Sequence, residues 1–91
     1  MALQKDEALQ RARADLAGRL GIDEKEIEER AIEEADFPDM SLGAPIGDEM
    51  SAQMIMSGWR IRLRAKEQDY EYRADRRQLR LHNFKGKNYR V

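Results

Sequence analysis

The sequence predicts an α+β fold: one N-terminal helix packed on a small, mainly antiparallel sheet of three to four strands, with a long irregular loop. Three observations carry that reading. Apolar residues recur at helical spacing near the N-terminus. Apolar and charged residues alternate from Trp59 to about Ala74. Between these segments, Pro38, Gly43, Pro45, Gly47 and Gly58 interrupt any regular pattern. At 91 residues the chain is read as a single domain, residues 1–91, with one modest core.

The helix is expected from about Leu3 to Leu20. Leu9, Ala12, Leu16 and Leu20 share one face, and the surrounding alanines favour helix. Asp6 and Glu7 near the start and Arg19 near the end suit the helix dipole, and Gly21 is a natural left-handed stop. The segment Asp23–Phe37 has two readings. Propensity favours helix, because Glu24, Lys25, Glu26, Glu28, Glu29, Arg30 and Ala31 are helix formers. The competing reading is a strand from about Glu26 to Glu34, anchored by Ile27 and Ile32.

Phe37 to Gly58 reads as loop, unusually long for so small a domain. A short strand near Gln53–Met56 could be hidden in it. The hairpin follows, with Trp59, Ile61, Leu63 and Ala65 on one face and Arg60, Arg62, Arg64 and Lys66 on the other. Cross-strand charge suggests a register of Ala65 against Tyr70, Leu63 against Tyr72 and Ile61 against Ala74. That register sets Arg64 against Glu71, Arg60 against Asp75 and Lys66 against Asp69. Arg62 against Arg73 is its discordant pair. A turn at Asp75–Arg77 leads to a strand from Gln78 to Phe84, with Leu79 and Leu81 inward. Tyr89 and Val91 could add a short edge strand.

Charge is unevenly distributed. Residues 1–59 carry six Lys/Arg against fourteen Asp/Glu, whereas residues 60–91 carry eleven against four. Such asymmetry can mark an acidic or basic partner. The plainer reading is that the two halves face each other within one fold. The chain has no cysteine, which removes disulfides, zinc–thiolate sites and thiol catalysis, and fits a cytoplasmic location. The charged N-terminal stretch is neither a signal peptide nor a membrane span.

Catalytic motifs are lacking. His82 is the single histidine and is expected at the surface, on the strand face of Arg80. Ser41, Ser51 and Ser57 have no triad context. LGAPIG is not a phosphate loop, and the acidic residues between Asp23 and Asp39 lack EF-hand spacing. The expectation is therefore no enzyme, no cofactor and no metal. Met40, Met50, Met54 and Met56 crowd the loop; thioethers can bind Cu(I), but without Cys or a nearby His they read as core plugs or as an adaptable contact surface. Arg60, Arg62, Arg64, Arg73 and Arg80 form a basic strand face. The strand aromatics lie on the opposite face and only Phe84 joins the arginines, so a base-stacking platform is incomplete.

Taken together, ADLAGRLGID (14–23), FPDMSLGAP (37–45), AQMIMSGWRIRL (52–63) and YEYRAD (70–75) resemble small uncharacterised bacterial domains, many of them cyanobacterial. The resemblance implies a strand after the first helix, near Ile27. Related sequences often carry Cys where this chain has Ala44 and another near the C-terminus, so no disulfide role transfers. They also carry an aromatic-Pro-Gly step where Met56, Ser57 and Gly58 stand here. The order helix, strand, long loop, strand, strand is also similar to potato-inhibitor-I-type protease inhibitors, which hold their loop between two parallel strands.

The leading functional expectation is a non-enzymatic protein-interaction or regulatory module. Its contact surface is expected on the 38–56 loop and the adjoining strand, at Pro38, Met40, Leu42, Pro45, Met50, Met54 and Trp59. A protease-inhibitor-like loop and nucleic-acid binding through the basic strand face are the alternatives. A protein partner is expected, with neither membrane nor nucleic acid. The open strand edges leave oligomeric state undetermined.

Overall fold

The structure is a computed structural model, and it describes residues 2–91. One helix, α1 (Lys5–Leu20), is followed by a 3-10 turn at Glu24–Glu26. Five strands follow: β1 (Glu28–Phe37), β2 (Met56–Ala65), β3 (Gln68–Ala74), β4 (Leu79–Phe84) and β5 (Lys87–Arg90). They form a single antiparallel sheet in sequence order, β1-β2-β3-β4-β5. The expected three to four strands thus become five.

The segment after α1 is strand, not helix. Gly21 takes φ 67° and its N–H donates to the Ala17 carbonyl, closing the helix. Asp23 and Glu26 then cap each other: the Asp23 carboxylate accepts from Lys25 N–H and Glu26 accepts from Asp23 N–H. They cap the start of the 3-10 turn, which ends at Ile27, where the backbone is extended (φ −99°, ψ 123°) and the buried side chain joins the core. β1 pairs with β2, against its complementary charges, for example Glu28 with Arg64 and Glu33 with Arg60. Pairing with a neighbour overrides a weak intrinsic preference.

One sheet face packs on α1. Ala8, Ala12 and Leu16 meet Ile61, Leu63, Tyr72, Ala74, Leu79 and Leu81 in the main core. The Tyr72 hydroxyl donates to Asp15 at 2.7 Å, and Arg19 binds the same carboxylate oxygen at 2.7 Å. Burial and the neighbouring Asp15 charge hold this phenol protonated far above its usual range. Arg19 also lies 4.4 Å from the Tyr89 ring centroid.

The hairpin faces are as expected, but the register is displaced by two residues. Ile61 opposes Tyr72, Leu63 opposes Tyr70 and Trp59 opposes Ala74, while Arg64 pairs Asp69 and Arg62 pairs Glu71. Arg60 against Arg73 is the like-charge pair. The cause is a two-residue turn in which Lys66 and Glu67 take φ 52° and 63°. Both registers leave a two-residue turn, Glu67–Gln68 in the expected one and Lys66–Glu67 in the observed one, and positive φ at both turn residues matches the right-handed strand twist.

Two further boundaries differ. β2 begins at Met56 rather than Trp59, and no separate strand forms at 53–56. Asn83 takes φ 52° beside a register shift between β4 and β5. That bulge turns Phe84 into the helix-side core, 5.8 Å from the Tyr70 ring, so it is not on the arginine face.

Candidate functional site

The loop between β1 and β2 lies over the sheet face opposite α1, which makes three layers. The arginines of that face are expected from alternation, but Arg73 and Arg80 are not left to solvent. Arg73 donates to the Leu42 and Gly43 carbonyls at 3.0 and 3.1 Å. Arg80, only 3 % exposed, donates to the Ala44 carbonyl at 3.0 Å and grips both Glu49 carboxylate oxygens. Gln78 reaches the Met40 carbonyl and Asn88 the Pro45 carbonyl. Every carbonyl from Met40 to Pro45 except that of Ser41 is therefore held by a side chain from β3, β5 or the residues in or next to β4.

The loop is also tied internally. One Asp39 oxygen accepts from Ser41 N–H, the Ser41 hydroxyl and Gly43 N–H, at 2.6–3.0 Å. These bonds, the Ser41 hydroxyl first, hold the Asp39 carboxyl below its ordinary value. Leu42 adopts φ 58°, a strained conformation for a leucine, and its side chain is fully buried. Phe37, Ser41 and Ala44 are buried beside it in sequence, outside the helix-side core. The Arg60 and Arg73 guanidiniums lie 5.9 and 5.7 Å from the Phe37 ring centroid.

The second half of the loop is different. Among the described residues, no side-chain hydrogen bond reaches positions 50–55. The Ala52 carbonyl accepts from Met40 and Met54 N–H, and that is the whole of its backbone attachment there. Met50 is 96 %, Ile55 73 % and Met54 57 % exposed; these are all of the exposed large apolar side chains among the described residues.

The residues singled out from sequence therefore divide. Pro38, Pro45, Met50 and Met54 are exposed, Met40 and Trp59 are half-buried, and Leu42 is buried. Leu42 is a structural anchor and is removed from the contact surface, because its side chain has no path to a partner. Ile55 is not among the residues singled out; it stands exposed in the residue before β2, on the half of the loop that no side chain straps down. Of the four methionines at 40, 50, 54 and 56, Met40 and Met56 are half-buried and Met50 and Met54 are exposed.

His82 is half-buried rather than at the surface. Its Nδ1 has no hydrogen-bond partner among the described residues, and burial, aided by the Arg73 charge, lowers its pKa. The five arginines proposed as a basic face all lie within 4 Å of a carboxylate: Arg60 and Arg62 near Glu71, Arg64 near Asp69, Arg73 at Glu71 and Arg80 at Glu49. Three pairs join the acidic and basic halves of the chain: Glu33–Arg60, Glu26–Lys66 and Glu49–Arg80.

A family model described as Domain of unknown function (DUF8738) matches residues 9–82. The chain belongs to that family. The match takes in most of α1, β1, the whole strapped loop and the hairpin, so the loop and its holders Arg73, Gln78 and Arg80 lie within the DUF8738 region, and Asn88 lies beyond it. No curated protein and no solved structure matches this DUF8738 chain. Its helix is not long and apolar enough to cross a membrane. The parallel strands of the inhibitor analogy are not found, since β1 and β2 run antiparallel.

Proposed function

We propose that this chain is a non-enzymatic protein-interaction or regulatory module that docks a protein partner through residues 50–55. One observation carries the reading: Met50, Met54 and Ile55 stand exposed in the one half of the loop that no side chain straps down. Apolar side chains of this size at a loop surface favour contact with another protein, and methionine adapts to the partner's shape. Pro38 and Pro45 are exposed in the same loop, and the strapped half holds the chain before residue 50 against the sheet.

Nucleic-acid binding has less support, because the arginines it would use are already near carboxylates. The cysteine-free composition favours the cytoplasm as the location. The likeness to small, often cyanobacterial domains points to a bacterial setting.

The test is a photo-crosslinking side chain at position 54, with position 11 on the helix as control, followed by reconstitution with the purified captured protein. The triple variant Met50→Gln, Met54→Gln, Ile55→Thr is expected to bind about tenfold or more weakly while melting normally. Equal affinity, or crosslinks confined to position 11, would overturn the proposal.

A further inference from the structure

Asp75 follows β3 and closes the turn to β4. Its Oδ1 accepts from the Arg77 and Gln78 N–H groups at 2.7 and 3.0 Å. Its Oδ2 is buried and has no hydrogen-bond partner among the described residues; the residue is only 3 % exposed. A buried acceptor without a donor is costly, and a native fold rarely keeps one without a use.

Asp75 borders a cleft of about 450 Å³ where the ends of β1 and β2 meet the β3–β4 turn. Glu34, Asp36, Trp59, Arg76 and Arg77 also line it. Glu34 and Trp59 are cross-strand partners, so both project from the same sheet face. Glu34 makes no salt bridge among the described residues, and Asp36 accepts from the Ser57 hydroxyl at 2.9 Å. Arg76 and Arg77 are exposed and have no carboxylate within salt-bridge distance among the described residues.

These groups decide the ligand's chemistry. An anion could meet the two arginines but would leave the Asp75 oxygen without a donor. A ligand that satisfies that oxygen must donate to it. Acidic groups beside an indole favour a cation, and a planar guanidinium can both stack on the ring and donate to carboxylates. We propose that this cleft binds an arginine-type guanidinium, donating to Asp75 Oδ2 and Glu34 while it lies against Trp59. The site is separate from the 50–55 docking surface, and its test needs only the purified chain.

Trp59 is the single tryptophan, so its fluorescence reports on the cleft directly. The probes are free arginine and N-acetyl-arginine amide, with N-acetyl-norleucine amide as the neutral control. A saturable fluorescence change with the arginine compounds alone is expected, with shifts of the Arg77 and Gln78 amide resonances. Tighter binding of free arginine would assign a free amino acid, whose carboxylate meets Arg76 or Arg77. Equal or tighter binding of the blocked form would assign an arginine side chain within a polypeptide. Asp75→Asn retains an oxygen for the two backbone N–H groups but puts an amide donor at the open position. It should weaken binding about tenfold or more, and Glu34→Gln, which leaves the turn intact if the first variant does not fold, should do the same. A response no different from the norleucine control, or equal affinity in every folded variant, would overturn the site.

Discussion

Replacing Glu49 by Gln tests whether the loop is held by its ion pair. The Arg80 guanidinium is buried beneath the loop and binds Glu49 through two nitrogens, at 2.5 and 2.9 Å. Removing one partner of a fully buried pair costs about 3–5 kcal/mol. The Glu49 side chain is 32 % exposed, so water replaces part of what is lost, and the Ala44 carbonyl and Gln78 remain as acceptors. The expected cost is about 1–2 kcal/mol, a fall of about 1 M in the urea midpoint for a domain of this size. The pH dependence gives an independent check. Arg80 holds the Glu49 carboxyl at about 2, below its ordinary 4.5. The folded value is depressed, so the stabilisation is complete above 4.5 and is lost as pH falls from 4.5 through about 2. The variant should lose much of its acid sensitivity in that window, with the residue set by Asp39. Amide exchange should quicken through residues 40–49. An unchanged urea midpoint together with an unchanged acid limb would refute the strap.

Five further substitutions test the fold. Tyr72→Phe removes the hydroxyl that binds Asp15 and should cost about 1 kcal/mol in urea unfolding, with the helix amides losing protection first. Gly58→Ala drives a methyl group into the Ala74 carbonyl oxygen and should cost about 2–3 kcal/mol, whereas Gly18→Ala, which meets nothing within 4 Å, should gain about 0.5–1 kcal/mol in the same thermal melts. Glu67→Gly relieves a left-handed residue in the hairpin turn and should raise stability by about 1 kcal/mol, read by calorimetry. Leu42→Ala empties a fully buried position and should cost about 2–4 kcal/mol while leaving Met50, Met54 and Ile55 in place, which separates anchoring from docking.

The helix, the hairpin faces and the loop's position were legible because they follow from periodicity and from Pro and Gly. β1 was harder to read. Its glutamates favour helix locally, and its exposed edge keeps only Phe37 fully buried, so no apolar alternation advertises a strand. The hairpin register failed on Lys66 and Glu67, which carry none of the Asn-Gly chemistry that announces a tight turn. The clamp could not be read because its acceptors are backbone carbonyls, which have no residue identity; the arginines therefore looked free. The Asp75 cleft was hidden for a related reason, since two strand ends and a turn meet there from distant parts of the chain.

Because Arg73, Gln78, Arg80 and Asn88 grip main-chain oxygens, the instructions for the loop's path are written in the sheet rather than in the loop. A mutational scan should therefore be lopsided. Exposed loop positions such as Pro45 should accept most side chains, because a carbonyl survives any substitution. The four gripping residues should accept few. Inserting or deleting a single residue between 40 and 45 should be far worse than any exchange there, since it shifts every oxygen out of its holder. Relatives could then diversify the surface at 50–55 freely while holding the length of the preceding segment constant.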